Sequence, residues 1–217
     1  MRIIKKWYAN YLNKKRAKWR KKNLISKLKN KDFTIIANNC SAGFIYNNIG
    51  HKFLSPTINL SFEDDDYLKF IYNLKEFVEQ GKLSYVEQTE YPYPVGKLTA
   101  PCGSIKVYFV HYNNFQYCCD IWYERCKRIN WDNMCFLFEA KKETSLETIK
   151  QFNEFPNKNK AIVAMNLEID SPYYFKIVSN KPDPGGAIFF YQTKHSPKRW
   201  LDEFDYISLI NGIKENN

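Results

Sequence analysis

A chain of 217 residues that is 44% apolar and 17% aromatic is long enough for one sizeable domain and too rich in core-forming side chains to be disordered. Its formal charge of +10 is confined to one end: residues 1–31 carry 13 Lys or Arg and no acid, and the remainder holds 20 basic against 23 acidic residues, a net of −3. A mildly acidic body argues against nucleic-acid binding, and no apolar run reaches the roughly 18 residues of a membrane span.

The N-terminus lacks the apolar core of an export signal, so a cytoplasmic protein is expected. Residues 3–29 read as a basic amphipathic helix, with Ile4, Tyr8, Tyr11 and Leu12 on one stripe and Trp7 and Trp19 beside it. Such a helix either lies on an anionic membrane surface, which would make the protein peripheral at the inner face of the cell membrane, or packs its aromatic stripe on the domain. Residues 1–31 are therefore taken as a helical appendage and 32–217 as a single α/β domain.

In that domain Phe33 to Ala37 reads as a buried strand, followed by the turn Asn38-Asn39-Cys40 and a short helix over 41–49. An acidic-start helix is predicted from Asp64 to Gln80, closed by Gly81, then a strand near 83–87 and a loop rich in Tyr, Pro and Gly at 91–96. A strand over 104–110 ends at His111-Tyr112, and Phe115, Cys118, Trp122, Cys126 and Ile129 mark one face of a helix over 114–130. A strand at 134–138, a helix opened by the capping box Thr144-Ser145-Leu146-Glu147 and a strand at 161–165 follow. Beyond the turn Asp183-Pro184-Gly185-Gly186, residues 188–190 read as a strand and 196–212 as a helix. Alternating strands and helices predict a three-layer α/β fold, a mostly parallel sheet covered by helices on both faces.

Cys40 is the most informative position, because ligands of open α/β sheets bind beyond the carboxyl ends of the strands. His111 ends another candidate strand, and two parallel strands would bring such ends to one edge. Histidine can take a thiol proton and return it to a leaving group, which is what acyl transfer through a thioester requires. The plainer alternative packs Cys40 under its helix and leaves His111 as a cap. Small residues at 41–43, Gly43 among them, would let a substrate approach backbone N–H groups.

Arg125 and Arg128 share a helix face and suit an anionic donor such as acyl-coenzyme A or a nucleotide-sugar, or else serve an ion-pair face with Glu124. Asn130 and Asn133 either cap the turn that follows or touch ligand. Asp64-Asp65-Asp66 reads as a helix N-terminus rather than a metal site. With six cysteines, no CxxC and no HxxxH, reduced thiols are expected, with no metal site and no tightly bound cofactor. Cys102 is a second thiol with no visible base, and His51 and His195 have weak claims.

Taken as an ordered set, Asn38-Asn39-Cys40, Gly43, Ser55-Pro56-Thr57-Ile58-Asn59-Leu60, Tyr93-Pro94-Val95-Gly96, His111-Tyr112 and Trp122, Arg125, Arg128-Ile129-Asn130, Asn133 resemble a bacterial family of exopolysaccharide biosynthesis proteins of unassigned activity, over residues 32–165. Ser41-Ala42-Gly43 stands where that pattern has Trp-Gly-Gly. The resemblance implies a three-layer α/β domain, a place in capsule or surface-polysaccharide assembly, and a sugar or lipid-linked glycan as substrate. It also nominates Asn38, Asn39, Gly43, Ser55, Thr57 and Tyr112 beside the arginines and asparagines as substrate-binding positions. The Asn-Cys turn with a distant His is more loosely similar to a group of capsule acetyltransferases that use a Cys/His pair. The expectation is a transferase moving an acyl group to a sugar through Cys40 and His111. Its alternatives are a glycosyltransferase in which Cys40 is only a wall, and a non-catalytic glycan-binding or scaffold subunit.

Overall fold

A computed structural model describes residues 2–87, 91–180 and 186–212, with side chains from residue 6 onward. The chain runs α1 (Arg2–Asn23), β1 (Thr34–Ala37), α2 (Ser41–Ile49), α3 (Asp64–Tyr72), α4 (Leu74–Gln80), β2 (Lys82–Tyr85), β3 (Val95–Ala100), β4 (Gly103–Tyr108) and α5 (Phe115–Cys126). It continues through β5 (Met134–Glu139), α6 (Leu146–Glu154), β6 (Lys160–Met165), β7 (Tyr174–Ile177) and α7 (Tyr206–Asn211). The strands form a parallel four-stranded sheet in the order β1-β5-β6-β7 and a separate antiparallel sheet in the order β2-β3-β4.

Continuous apolar runs make the central strands of the parallel sheet, as burial on both faces requires. Ile36, Phe136, Phe138, Ile162 and Ala164 face a core built with α3, α4, α5, α6 and the antiparallel sheet. Ile35, Ala37, Cys135, Leu137, Val163 and Ile177 face a second core with α2, α7 and Leu24. This is the expected three-layer α/β arrangement.

Several elements differ from the sequence reading. The strands at 82–85 and 103–108 belong to the antiparallel sheet, and a third strand, β3, begins inside the loop read at 91–96 and runs on to Ala100. The prolines at 92 and 94 stop short of β3, and Gly96 lies inside it, where an added Cβ would come within 3.0 Å of Leu83 and Phe109 and 3.2 Å of Phe115. The helix predicted over 64–80 breaks at Asn73, whose side chain bonds the Lys69 carbonyl at 2.9 Å. The strand predicted at 188–190 is instead a 3-10 turn at Ala187–Phe189, and 196–212 divides into a 3-10 turn at Trp200–Glu203 and α7, which Gly212 ends in a left-handed conformation at φ 67°. Strand β7 had no counterpart in the sequence reading. Asp183, Pro184 and Gly185 of the predicted turn lie outside the described residues, as does the side chain of Ile4.

β1 is an edge strand with β5 on one side only. Its outward amides are met by side chains: Ile35 N donates to Tyr46 Oη at 3.2 Å and Ala37 N to Thr57 Oγ1 at 3.1 Å. The edge is thereby closed to strand addition.

α1 lies on the domain. Leu12 is buried, Arg16 stacks 3.5 Å from the Tyr191 ring centroid, and Tyr8 Oη lies 2.5 Å from His195 Nδ1. Lys15 Nζ donates to the His195 carbonyl at 3.1 Å, and Trp19 packs against the second core. Among the described residues no helix is long and apolar enough to cross a membrane.

Candidate active site

The carboxyl end of β1 is where the chain turns from sheet to helix, and two asparagines fix that turn. Asn38 acts as a side-chain continuation of the parallel ladder: its Nδ2 donates to the Glu139 carbonyl at 3.0 Å, and its Oδ1 accepts from Glu139 N at 2.9 Å. Asn39 makes an Asx-turn, its Oδ1 accepting from Ser41 N at 3.0 Å and Ser41 Oγ at 2.7 Å, while its Nδ2 donates to the Glu139 carboxylate. Both amides are thus engaged in holding Cys40 as the N-cap residue of α2. The Cys40 thiol makes no capping bond.

That thiol lies 3.3 Å from His111 Nε2. The approach does not depend on two strands of one parallel sheet, because β4 belongs to the antiparallel sheet. The segment around Leu60 to Phe62 makes the join instead. Phe62 N donates to the Asn38 carbonyl at 2.9 Å, and Ser61 pairs with Tyr108 through two 2.9 Å bonds, which lays the end of β4 against the end of β1. The turn that follows, closed by Tyr112 N donating to the Phe109 carbonyl at 3.0 Å, presents an exposed His111 to a half-buried Cys40.

Burial, and then the nearby Glu139 carboxylate, push the Cys40 thiol up to about 11. At neutral pH Cys40 is therefore a thiol, and the neighbouring imidazole is placed to accept its proton. Glu139, only 5% exposed, closes the apolar run of β5 and was missed in the sequence. An acid ending a continuous apolar strand at its carboxyl end was the available signal.

The remaining expected site residues sort by place. Arg125 is buried, and its Nη1 donates to the Ile58 carbonyl at 2.9 Å and to Tyr112 Oη at 2.9 Å. It is a clamp between the 55–60 segment and the residue after His111. Arg128 falls past the end of α5, where its charge acts on Glu124; that carboxyl is held below its usual range mainly by Lys127 and secondarily by Arg128. The two arginines do not form one fork.

Ser55 and Thr57 are fully buried and bond each other at 3.1 Å as part of the cover over β1. Gly43 is buried where a Cβ would meet Asn59 Oδ1 at 3.1 Å, so its smallness serves the packing of α2 on that segment. Asn130 and Asn133 lie at the opposite end of β1: Asn130 Nδ2 and Asn133 Nδ2 both donate to the Asp32 carbonyl, at 3.1 and 2.5 Å. Cys40, His111, Asn38, Asn39 and Tyr112 are brought to one neighbourhood, and Asn130 and Asn133 are not.

Elsewhere, Asp64 Oδ2 accepts from Thr144 Oγ1 at 2.7 Å and Asp66 Oδ2 from Lys106 N at 3.0 Å, tying the first turn of α3 to its neighbours. Among the described residues no group of three or more His, Cys, Asp or Glu is placed to hold a metal ion. The cysteines of the chain are all free thiols.

Compared with known proteins, residues 11–211 match the family model described as a domain of unknown function, DUF1919. The chain is also similar to an uncharacterized protein of Haemophilus influenzae, 31% identical over 202 residues that cover 92% of this chain and 94% of that relative. Matched by that family model over residues 11–211 and by that relative over 92% of its length, the chain belongs to the DUF1919 family.

Proposed function

We propose that the protein is a transferase of exopolysaccharide or capsule biosynthesis that moves an acyl group to a sugar hydroxyl through Cys40 and His111. The single observation that carries the chemistry is the 3.3 Å approach of Cys40 Sγ to His111 Nε2 at the carboxyl end of β1. The glycan context is what the resemblance carried by the ordered motifs between residues 38 and 133 implies, and the cytoplasmic side, where activated sugars and acyl-coenzyme A are at hand, is the location proposed with it.

In the first half-reaction Cys40 Sγ attacks the acyl carbonyl of a thioester donor. The new C–S bond forms as the donor C–S bond breaks, and His111 Nε2 takes the Cys40 proton and delivers it to the departing thiolate. In the second, His111 accepts the proton of a sugar hydroxyl as that oxygen attacks the acyl-Cys40 carbonyl, and the proton returns to the released Cys40 sulfur. Because burial and Glu139 disfavour a standing thiolate, proton transfer accompanies attack instead of preceding it.

The high proton affinity of Cys40 favours one second reading, glycosyl transfer from a nucleotide-sugar with Cys40 as a wall of the crevice. Transfer of acetyl from acetyl-coenzyme A to an oligosaccharide acceptor separates the readings. Cys40→Ala and His111→Ala should each lose it by at least about a hundredfold, the usual size of a general-base contribution. A fully active Cys40→Ala protein would sink the thiol mechanism, and binding of UDP- or GDP-sugars without any thioester would transfer the assignment to glycosyl transfer. Full activity in vivo of both variants would leave a non-catalytic glycan-binding subunit.

A further inference from the structure

α1 has two faces, and among the described residues only one packs on the domain. Tyr8, Leu12, Arg16, Trp19 and Asn23 recur at helical spacing and point to the domain, where Leu12 is 7% exposed. Centred about a third of a turn away on the helical wheel, Trp7, Tyr11, Lys14, Lys18 and Lys22 form a second stripe that points to solvent. On that stripe Trp7 is 71% and Tyr11 54% exposed, and their rings stack at 6.4 Å. A stacked, solvent-facing Trp-Tyr pair continued by a row of lysines serves no packing purpose among the described residues.

We infer that this second face docks the protein on an anionic lipid surface while α1 stays seated on the domain. Charge complementarity identifies the occupant: residues 1–31 hold 13 basic residues and no acid, whereas the rest of the chain is net −3, so the attractive field belongs to this N-terminal segment. Trp and Tyr are the side chains suited to the headgroup level, with an apolar body and a polar edge. Lysines near an anionic surface each strengthen attachment about fivefold. The docked face cannot serve, because Leu12 would have to leave its buried position, Trp19 its packing on the second core and Arg16 its stack on Tyr191. Two aromatic anchors without a long apolar stripe give a reversible, charge-dependent association, which rests independently of the chemistry proposed for Cys40.

The test is co-sedimentation of the full chain with phosphatidylcholine vesicles, with and without about a third phosphatidylglycerol, at low and at physiological salt. Binding is expected only to the anionic vesicles and should weaken with salt. It should fall at least tenfold for the charge reversal Lys14→Glu with Lys18→Glu, and at least severalfold for Trp7→Ala with Tyr11→Ala. An indole emission shift to shorter wavelength on binding, absent from Trp7→Phe, would place Trp7 in the lipid interface. All these positions are exposed, so an unchanged thermal midpoint verifies that each variant is folded. No sedimentation with anionic vesicles, sedimentation unchanged by the variants of this face, or displacement of vesicle binding by a trace of duplex nucleic acid would overturn the inference.

Discussion

At the residue scale, Cys40 is defined by what its neighbours do. Asn38 and Asn39 were expected to touch substrate, yet their amides are occupied in bridging β1 to β5 and in turning the chain into α2. Asn38→Ala should therefore act on stability: losing two buried hydrogen bonds and leaving Glu139 N unpaired costs about 2–3 kcal/mol, read as a lower denaturation midpoint with unchanged slope. Glu139 works on the thiol from a distance. Because its carboxylate helps raise the Cys40 pKa, Glu139→Gln should lower the pH at which Cys40 is alkylated. The pH profile of iodoacetamide labelling, resolved from the other cysteines by peptide mass spectrometry, would register this, and an unmoved profile would remove Glu139 from the account. Arg125 is legible as a functional-looking guanidinium in the sequence, but its Nη1 bonds to Ile58 and Tyr112 identify it as the holder of the His111 turn.

At the element scale the edge strand β1 is the structural problem that the 46–57 region solves. Tyr46 and Thr57 supply acceptors to the two outward amides of β1. Thr57→Val, close in shape and lacking the acceptor, should cost about 1–3 kcal/mol by leaving Ala37 N buried and unpaired, without changing the reactivity of Cys40. Gly96→Ala should be destabilising as well, by roughly 1–3 kcal/mol, since the added methyl overlaps Leu83, Phe109 and Phe115; equilibrium unfolding measures both. The elements most legible in the sequence were those with a strong local signature. Helix α2, the strands β1, β5 and β6, and the start of the Ser145-capped α6 all fall within two residues of expectation. β3 was hidden because Pro94 and Gly96 read as a turn, whereas the glycine is there for close packing. Residues 188–190 form an apolar run whose period is too short to separate a strand from a 3-10 turn. The nearness of Cys40 and His111 was anticipated from strand ends, but it comes from the Ser61–Tyr108 bridge, a long-range pairing with no local signal.

At the scale of the whole molecule, the parallel sheet separates two cores, and the candidate chemistry sits at the seam where the antiparallel sheet meets the end of β1. The buried ionisable groups give the fold a defined pH response. Burial pushes Cys40 and Cys118 up to about 11 and Cys126 and Cys135 up to about 12, and raises Tyr67 and Tyr206 as well. A raised folded-state pKa means that the neutral groups cost nothing below the ordinary thiol value of 9.0, while above it the unfolded chain ionises first. Stability should therefore hold up to about pH 9 and decline through 11 and 12, which thermal midpoints measured across that range would record. The family relationship extends over 11–211, so it includes most of α1 as well as the domain, consistent with a helix seated on the body.

The central claim, that Cys40 and His111 form a covalent acyl-transfer pair, is tested most directly by intact-protein mass spectrometry of the full chain incubated with acetyl-coenzyme A and quenched in acid. A gain of one acetyl group is expected, mapped to Cys40, sensitive to hydroxylamine, absent from Cys40→Ala and strongly slowed in His111→Ala. No adduct on Cys40, or an adduct that forms equally fast without His111, would contradict it.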